Sequence, residues 1–140
     1  MSATFGIDPV KPEHVAAVWP EVAPLFKRAL KRSDSWDTMA SLRADVDKGN
    51  TTLWLICDGT SMVAAFITGV VCAGRGWLLN AIILGGSRMS EWFVQFEAKL
   101  RDIAKAEDCK SVVAVGRKGW KRIFERCGWA DGPTTMLRMI

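Results

Sequence analysis

Five basic residues lie within one stretch near the end of the chain, VGRKGWKRIFERCGWADG, and their charge suits an acidic ligand: Arg117, Lys118, Lys121, Arg122 and Arg126. The same stretch has apolar side chains at i, i+3, i+4 and i+7, the spacing of one buried helical face: Trp120, Ile123, Phe124 and Cys127. An amphipathic helix is therefore predicted here. Its basic side is either an anion-binding surface or a solvated face.

Few other side chains stand out by their pattern as candidates for acid–base or nucleophilic chemistry. The chain has one histidine, His14, and no tyrosine, which excludes most histidine-based metal sites and triads and any phenolic general acid. Cys127 is one catalytic candidate, although its place on an apolar helical face is more typical of a core thiol. Asn80 is the other, because it is a polar residue inside an apolar run, and a hydrogen-bonded structural amide explains it equally well. Thr68 is open to the same two interpretations, and no metal site is predicted.

Composition indicates one globular domain spanning residues 1–140. Hydrophobic residues make up 49% and charged residues 24% of the chain, an ordinary balance for a folded domain. The four cysteines form no C-x-x-C pair, which favours reduced core thiols over disulfides or metal ligands. The net charge of +4 suits a nucleotide or coenzyme and does not favour nucleic acid as a partner. Because the start lacks a secretory-signal pattern and no apolar run has membrane length, a cytoplasmic location without membrane contact is predicted.

The spacing of apolar residues changes from helical to strand-like and back along the chain. Pro20 and Pro24 predict a kink or a break in the first helix, and Ser35 or Asp37 is the predicted N-cap of the second. The alternation predicts an α+β fold, a mixed sheet with helices packed on it. The predicted elements are, in order, helices at 11–33 and 35–50, a hairpin of strands at 51–57 and 62–73, a buried strand at 77–85, a helix at 90–108, a strand at 110–116, the basic helix, and a closing strand at 134–140.

This order resembles that of the GCN5-related N-acetyltransferases (GNAT), with a short first strand at TFGIDPV. The most specific piece is FERCGW, residues 124–129, which is similar to the family's closing Y-E-K-x-G-F. Gly128 is predicted to end the helix in the left-handed conformation, with Trp129 folding back onto the last turn. The pieces LGG, EWF and GRKGW look like those of small phage- or prophage-encoded GNAT-like proteins. The resemblance implies an α+β (α/β) domain with a mostly antiparallel central sheet and about four helices, and acetyl-CoA as cofactor.

The resemblance also implies where the cofactor would lie. In the family, the strand before the third helix pairs with the pantetheine arm, and the loop after it wraps the pyrophosphate. The equivalent residues here are Ile82, Ile83, Leu84, Gly85, Gly86, Ser87 and Arg88, and Arg117 falls where the family commonly has a coenzyme-lining Asn. Glycine backbone, a helix start capped by Ser87 and the charge of Arg88 are suited to an anion. The loop lacks the family's G-x-G/A spacing, however, so a plain glycine-containing turn remains the alternative.

The resemblance leaves the activity open between two readings. The position of the family's proton-donating tyrosine is Phe124, which cannot donate a proton. The first reading is an acyl-CoA-dependent N-acetyltransferase that transfers an acetyl group to a small-molecule or peptide amine. The second is a catalytically inactive GNAT-fold structural or interaction protein of a phage particle, with protein partners or a homo-oligomer and a place in the virion or the host cytoplasm.

Overall fold

The computed structural model describes residues 4–32, 37–114, 121–126, 128–131 and 136–139. The order of helices and strands agrees with the predicted one, including the short first strand. The structure adds a two-residue strand that the sequence did not indicate. The elements are β1 (Gly6–Pro9), a turn of 3-10 helix (Pro12–His14), α1 (Val15–Lys31), α2 (Met39–Asp47), β2 (Thr51–Asp58), β3 (Ser61–Ala73), β4 (Gly76–Gly86), α3 (Met89–Ala106), β5 (Ser111–Ala114), α4 (Lys121–Arg126), β6 (Ala130–Asp131) and β7 (Met136–Met139).

The described strands form one seven-stranded sheet in the order β1-β2-β3-β4-β5-β7-β6. Only β4 and β5 run parallel, and the other neighbouring pairs in this sheet are antiparallel. The parallel pair is connected through α3, because parallel neighbours need a crossover connection. The predicted fold class, a mixed and mostly antiparallel sheet flanked by about four helices, is confirmed.

The sheet has one apolar core on each face. Side chains of β2, β3 and β4 alternate between the two faces, as the period of a strand requires. One core packs α3 and the end of α4 against the sheet and includes Phe66, Leu79, Leu84, Trp92, Phe93, Phe96, Leu100 and Phe124. The other packs α1 and α2 against the opposite face and includes Val22, Phe26, Leu42, Val46, Leu53, Ala65, Ile67 and Ile83.

The first helix, α1, runs without interruption through Pro20 and Pro24. Of the two predicted alternatives, a kink or a division into two shorter helices, the division is therefore wrong. Each proline removes one backbone hydrogen bond, but both prolines are exposed. The opposite side of the helix carries Val15, Val22 and Phe26, whose exposed fraction is zero. Burial of this apolar stripe against the sheet holds the helix together, since tertiary packing outweighs local propensity.

The second helix, α2, has its N-cap one residue after the later of the two predicted candidates. Its N-cap is Thr38, not Asp37, and Ser35 lies outside the described residues. Thr38 Oγ1 accepts a hydrogen bond from the Ser41 amide at 3.0 Å, and Ser41 Oγ accepts one from the Thr38 amide at 2.8 Å. This is a reciprocal capping box. A serine stands where the sequence pattern usually has Glu or Gln, which is why the pattern did not reveal it.

The closing turn of α4 has the geometry predicted from FERCGW. Gly128 has φ of 89°, in the left-handed region. The Gly128 amide donates to the Glu125 carbonyl at 3.0 Å, and the Trp129 amide donates to the Phe124 carbonyl at 3.1 Å. These two bonds define a Schellman motif. The Trp129 and Phe124 rings meet edge to face with their centroids 4.7 Å apart, so the predicted return of Trp129 onto the last helical turn is confirmed.

Replacing Gly128 by alanine should lower the free energy of unfolding by about 1 kcal/mol, because a Cβ atom is unfavourable at this φ. Asparagine tolerates the left-handed region better, so Gly128→Asn should cost less than Gly128→Ala. Urea unfolding followed by circular dichroism measures both. Equal stability of Gly128→Ala and the parent protein would contradict the assigned geometry.

The thiols are less uniformly buried than predicted. Cys109 is buried, Cys57 is half-buried and Cys72 is exposed, and none of these three forms a disulfide with a described residue. The prediction of a core position is therefore wrong for Cys72, which lies near the end of the β3–β4 hairpin. Burial raises the pKa of the Cys57 and Cys109 thiols. Among the helices of the described ranges, none has the length and apolar character that a membrane crossing requires.

Candidate functional site

Among the described residues, one edge of β4 has no strand partner along its second half, and this edge is called the open edge. β4 pairs with β3 as far as Gly86, but it pairs with β5 only through Leu78–Ala81, opposite Ser111–Ala114. From residue 82 onward, β4 therefore has no β5 partner among the described residues. Backbone groups on a strand edge of this kind can pair with a ligand in extended conformation. The five strand residues predicted to line a cofactor all lie on it: Ile82, Ile83, Leu84, Gly85 and Gly86.

A β-bulge marks the point where the open edge begins. In the register with β3, Ile67 is opposite Ile83 and Thr68 is opposite Ala81, so Ile82 is the extra residue. A bulge bends the strand and increases its local twist. Because it falls directly after the last residue of β4 that pairs with β5, the bulge separates the paired half of β4 from the open half.

The two glycines at the end of β4 permit close backbone packing. A Cβ atom on Gly85 would lie 2.6 Å from the carbonyl oxygen of Leu25, so helix α1 rests directly on the strand here. A Cβ atom on Gly86 would meet Ala64 Cα and the Val63 oxygen at 2.5 Å, and Gly86 has φ of 154°. Neither position can hold a side chain without displacing backbone. The glycines therefore bring α1, β3 and the open edge of β4 together.

In the loop after Gly86, one backbone amide is hydrogen-bonded within the protein, and helix α3 then begins without a side-chain cap. The Ser87 amide donates to the Val63 oxygen at 2.9 Å, which continues the pairing with β3. By the alternation of an antiparallel pair, the Gly86 amide then points away from β3. The N-cap of α3 is Arg88 in the left-handed conformation, and no side chain caps the helix. The predicted capping by Ser87 is therefore wrong, and the Ser87 carbonyl instead accepts a hydrogen bond from Trp92 Nε1 at 2.7 Å.

Arg88 is held by two carboxylates. Its Nε and Nη2 donate to Glu91 at 2.7 and 2.9 Å, and its Nη1 donates to Asp58 at 3.0 Å. Its guanidinium also lies over the Phe5 ring. Hydrogen bonds to Glu91 and then Asp58 raise the pKa of Arg88, and the bond from Arg88 lowers the pKa of Glu91. The formal charges of Arg88, Glu91 and Asp58 sum to −1, so Arg88 gives the loop no net positive charge in this arrangement.

The positive charge beside the glycines comes from α1 instead. Arg28 and Arg32, one helical turn apart, line a cavity of about 80 Å³ against the end of β4. The structure shows no ion pair between either arginine and another described residue. Sequence reasoning missed both, because basic residues in the last turns of a helix are common for reasons of the helix dipole alone. The cavity is lined by Leu25, Arg28, Ala29, Arg32, Leu84, Gly85 and Gly86.

Asn80 lies on β4 just before the bulge. Leu79 and Ala81 belong to the core under α3, so Asn80 faces the opposite side of the sheet, toward α1 and α2. Its Oδ1 atom is buried and accepts no hydrogen bond from a described residue. A buried acceptor without a donor is costly, which is compatible with a ligand donor at this place. Thr68, by contrast, is engaged, since its Oγ1 accepts a hydrogen bond from Trp54 Nε1 at 3.0 Å.

Phe124 occupies the position of the tyrosine in the motif that FERCGW resembles, and it is a core residue. Its exposed fraction is 2%, and its ring meets those of Phe93 and Trp129 with centroids 5.0 and 4.7 Å apart. The candidates Cys127 and Arg117 lie outside the described residues. Within the described ranges, no group of three or more His, Cys, Asp or Glu residues is placed to hold a metal ion.

Solved structures share this architecture. A predicted acetyltransferase with acetyl-CoA from Clostridium acetobutylicum matches with a TM-score of 0.69 and 10% identity, covering 93% of this chain and 92% of that one. A ribosomal-protein-alanine N-acetyltransferase from Brucella melitensis biovar Abortus 2308 matches with a TM-score of 0.68 and 12% identity, covering 92% of this chain and 94% of that one. A GCN5-related N-acetyltransferase from Ralstonia eutropha JMP134 matches with a TM-score of 0.66 and 11% identity, covering 93% of this chain and 95% of that one.

Neither a protein-family model nor a curated protein matches the sequence. The likeness is therefore one of three-dimensional structure, at identities where only the fold is established. The chain has the fold of the GCN5-related N-acetyltransferases.

Proposed function

We propose that the chain is an acyl-CoA-dependent N-acetyltransferase that transfers an acetyl group to the amine of a small molecule or peptide. The observation that carries the proposal is the open edge of β4 from Ile82 to Gly86, which ends between two glycines and a pair of arginines. The shared fold with acetyltransferases, one of them solved with acetyl-CoA, supports it.

The residues at the end of β4 are suited to hold the cofactor. Backbone groups of Ile82, Ile83 and Leu84 on the open edge can pair with the amide groups of a pantetheine arm. Gly85 and Gly86 hold α1 and β3 close to the end of β4, and the uncapped start of α3 offers amides to a diphosphate. Ser87 and Arg88 border this start, and Arg28 and Arg32 add the positive charge. Arg117 is proposed as a further phosphate contact.

The chain's own groups can position an amine better than they can transfer protons. Acetyl-CoA, when bound, supplies the activated thioester. The unpartnered Oδ1 of Asn80 can accept a hydrogen bond from the attacking amine and orient it. An amide cannot take the proton of an ammonium group, and Phe124 cannot return one to the departing thiolate. Proton transfer through water is therefore part of the proposal, and we expect turnover to rise with the deprotonated fraction of the amine.

Turnover of acetyl-CoA with a panel of amines tests the proposal, with acetylated products detected by mass spectrometry. We expect saturable acetyl-CoA binding and amine-dependent product. Asn80→Leu, which keeps the volume and removes the acceptor, should lower turnover about tenfold without changing acetyl-CoA affinity, because one hydrogen bond to a charged or reacting group is lost. Absence of binding at millimolar acetyl-CoA would contradict the proposal.

Removing the carboxylates that hold Arg88 should strengthen cofactor binding. In Asp58→Asn combined with Glu91→Gln, Arg88 is released and the local charge rises by two. We expect the acetyl-CoA dissociation constant to fall by about twofold to fivefold for each carboxylate, since exposed ion pairs contribute at most about 1 kcal/mol. Calorimetry at low salt measures the change. Glu13→Gln, which removes an exposed carboxylate from the 3-10 turn, is the control. Weaker binding in the double variant would contradict a cofactor phosphate at this loop.

A second candidate is a catalytically inactive GNAT-fold structural or interaction protein of a phage particle. The observation that favours it is the end of the β3–β4 hairpin, which extends beyond its pairing with β2 and β5 and exposes large apolar side chains. Trp77 is 49% and Val71 is 47% exposed there. Apolar groups on such a surface are suited to a protein partner or a second copy. A stable monomer with amine-dependent turnover, and its absence from purified virions, would exclude this candidate.

A further inference from the structure

A second cavity, of about 230 Å³, lies at the other end of β4 and on the α3 side of the sheet. Its floor includes Leu79, which is seven residues from Gly86 on the same strand. At the rise of a β-strand this corresponds to about 23 Å, so the cavity is separate from the proposed cofactor site. It is lined by Gly49, Asn50, Thr52, Trp54, Thr68, Gly69, Val70, Leu79, Ile103 and Glu107.

The floor of this cavity is mostly apolar. Leu79 and Ile103 are buried, and the Trp54 ring is fixed by the hydrogen bond from its Nε1 to Thr68 Oγ1. Thr68 is only 4% exposed, and its oxygen keeps a second lone pair for a ligand donor. The Lys99 ammonium lies 5.7 Å from the centre of the Trp54 ring, which shows that the indole already faces a positive charge on this side of the sheet.

The rim of the cavity holds the carboxylate of Glu107 and lies at the carboxyl ends of two helices. Helix α2 ends just before Gly49 and Asn50, and helix α3 ends at Ala106, so the carboxyl ends of two helices border the same cavity. Each helix end carries a partial negative charge. Glu107 follows the end of α3, where a basic residue would be the favourable choice, and it forms no ion pair with a described residue. Lys48 at the end of α2 and Lys105 in the last turn of α3 offset part of this negative charge, but Glu107 is the one charged residue among the described ones that line the cavity itself, and it favours a cation there.

We propose that this cavity binds a small organic ammonium ion. Its charged group would lie against Glu107 and the helix ends, and its alkyl part would lie against Trp54, Leu79 and Ile103. The volume is below that of pockets for drug-sized ligands, which limits the ligand to a few carbon atoms around the nitrogen. The site is independent of the acetyl-transfer proposal, because none of its lining residues lies on the open edge of β4.

Choline is a suitable probe, because its uncharged isostere 3,3-dimethyl-1-butanol has the same shape. The indole N–H signal of Trp54 in a proton–nitrogen NMR spectrum reports on the cavity wall and is assigned with Trp54→Phe. Titration with choline chloride at constant ionic strength should move this signal saturably at millimolar concentration. The isostere should bind about tenfold more weakly, because it lacks the charge that faces Glu107.

Glu107→Gln should weaken choline binding by about tenfold, and Glu125→Gln, an exposed glutamate on α4, should leave it unchanged. Thermal unfolding of both variants shows whether they are folded. Three outcomes would overturn the proposal: no saturable shift, equal binding of choline and its isostere, or full binding by Glu107→Gln. None of them bears on acetyl-CoA binding, so failure of this proposal and failure of the proposed function can be told apart.

Discussion

Replacing Gly86 by alanine should lower the free energy of unfolding by about 3–5 kcal/mol, or prevent folding altogether. A methyl group there would meet the Ala64 Cα atom and the Val63 oxygen at 2.5 Å, and both residues belong to the neighbouring strand β3. Backbone in the middle of a sheet cannot move aside as a flexible side chain can. The φ of 154° adds a conformational cost of about 1 kcal/mol for any residue with a Cβ atom.

Two other glycines provide matched controls for this experiment. Gly59 has φ of 62° but nothing within 4 Å of a Cβ atom, so Gly59→Ala should show only the conformational cost of about 1 kcal/mol. Gly74 has open space and no positive φ, so Gly74→Ala should change stability by less than about 0.5 kcal/mol. Urea unfolding midpoints compare the three variants. Equal losses in Gly86→Ala and Gly59→Ala would contradict the close contact between β3 and the end of β4.

Truncation of Phe124 should be as costly for a different reason. Its ring is 2% exposed and packs edge to face against Phe93 and Trp129, so Phe124→Ala should lower the free energy of unfolding by about 3–5 kcal/mol. Val94→Ala is the control, because Val94 is 74% exposed on α3 and should change stability by less than about 0.5 kcal/mol. Chemical unfolding checks both values, and a small loss in Phe124→Ala would contradict the packing of α4 on the sheet.

Phe124→Tyr distinguishes a core position from a vacant catalytic one. In a sealed position the added hydroxyl is buried, so we expect lower stability, by about 1–3 kcal/mol, and no gain in amine acetylation. Retained stability together with an increase in turnover would instead show that a proton donor can act from this position. That result would overturn the assignment of Phe124 to the core.

Local patterns in the sequence were sufficient for much of the fold. The helical spacing around Phe124 and the glycine at position 128 predicted a left-handed helix end with Trp129 folded back, and the structure confirms it. The change from helical to strand-like spacing near residue 51 predicted the position of the β2–β3 hairpin. Such features depend on residues within a few positions of one another, where propensity and periodicity act. The exact cap of α2 was missed because Ser41 stands where the usual capping box has Glu or Gln.

The candidate site depends on contacts between distant segments, which local patterns cannot show. Arg88 looked free in the sequence, but Asp58, thirty residues earlier, holds it. Arg28 and Arg32 looked like ordinary surface charges of a helix, but the absence of a side chain at Gly85 lets α1 rest on β4 and brings them to its end. The open edge of β4 is a property of strand pairing. No residue of β4 indicates by itself where β5 stops pairing.

Calorimetric titration of acetyl-CoA onto two matched double variants tests most directly whether a phosphate-bearing cofactor binds at the end of β4. Arg28→Ala with Arg32→Ala removes the charges that line the cavity, while Lys27→Ala with Lys31→Ala removes the same charge at the same spacing from neighbouring exposed positions of α1. We predict that the arginine pair raises the dissociation constant by about tenfold or more and that the lysine pair changes it by less than about threefold. Equal effects of the two pairs, or full binding without the arginines, would contradict a cofactor site beside Gly85 and Gly86.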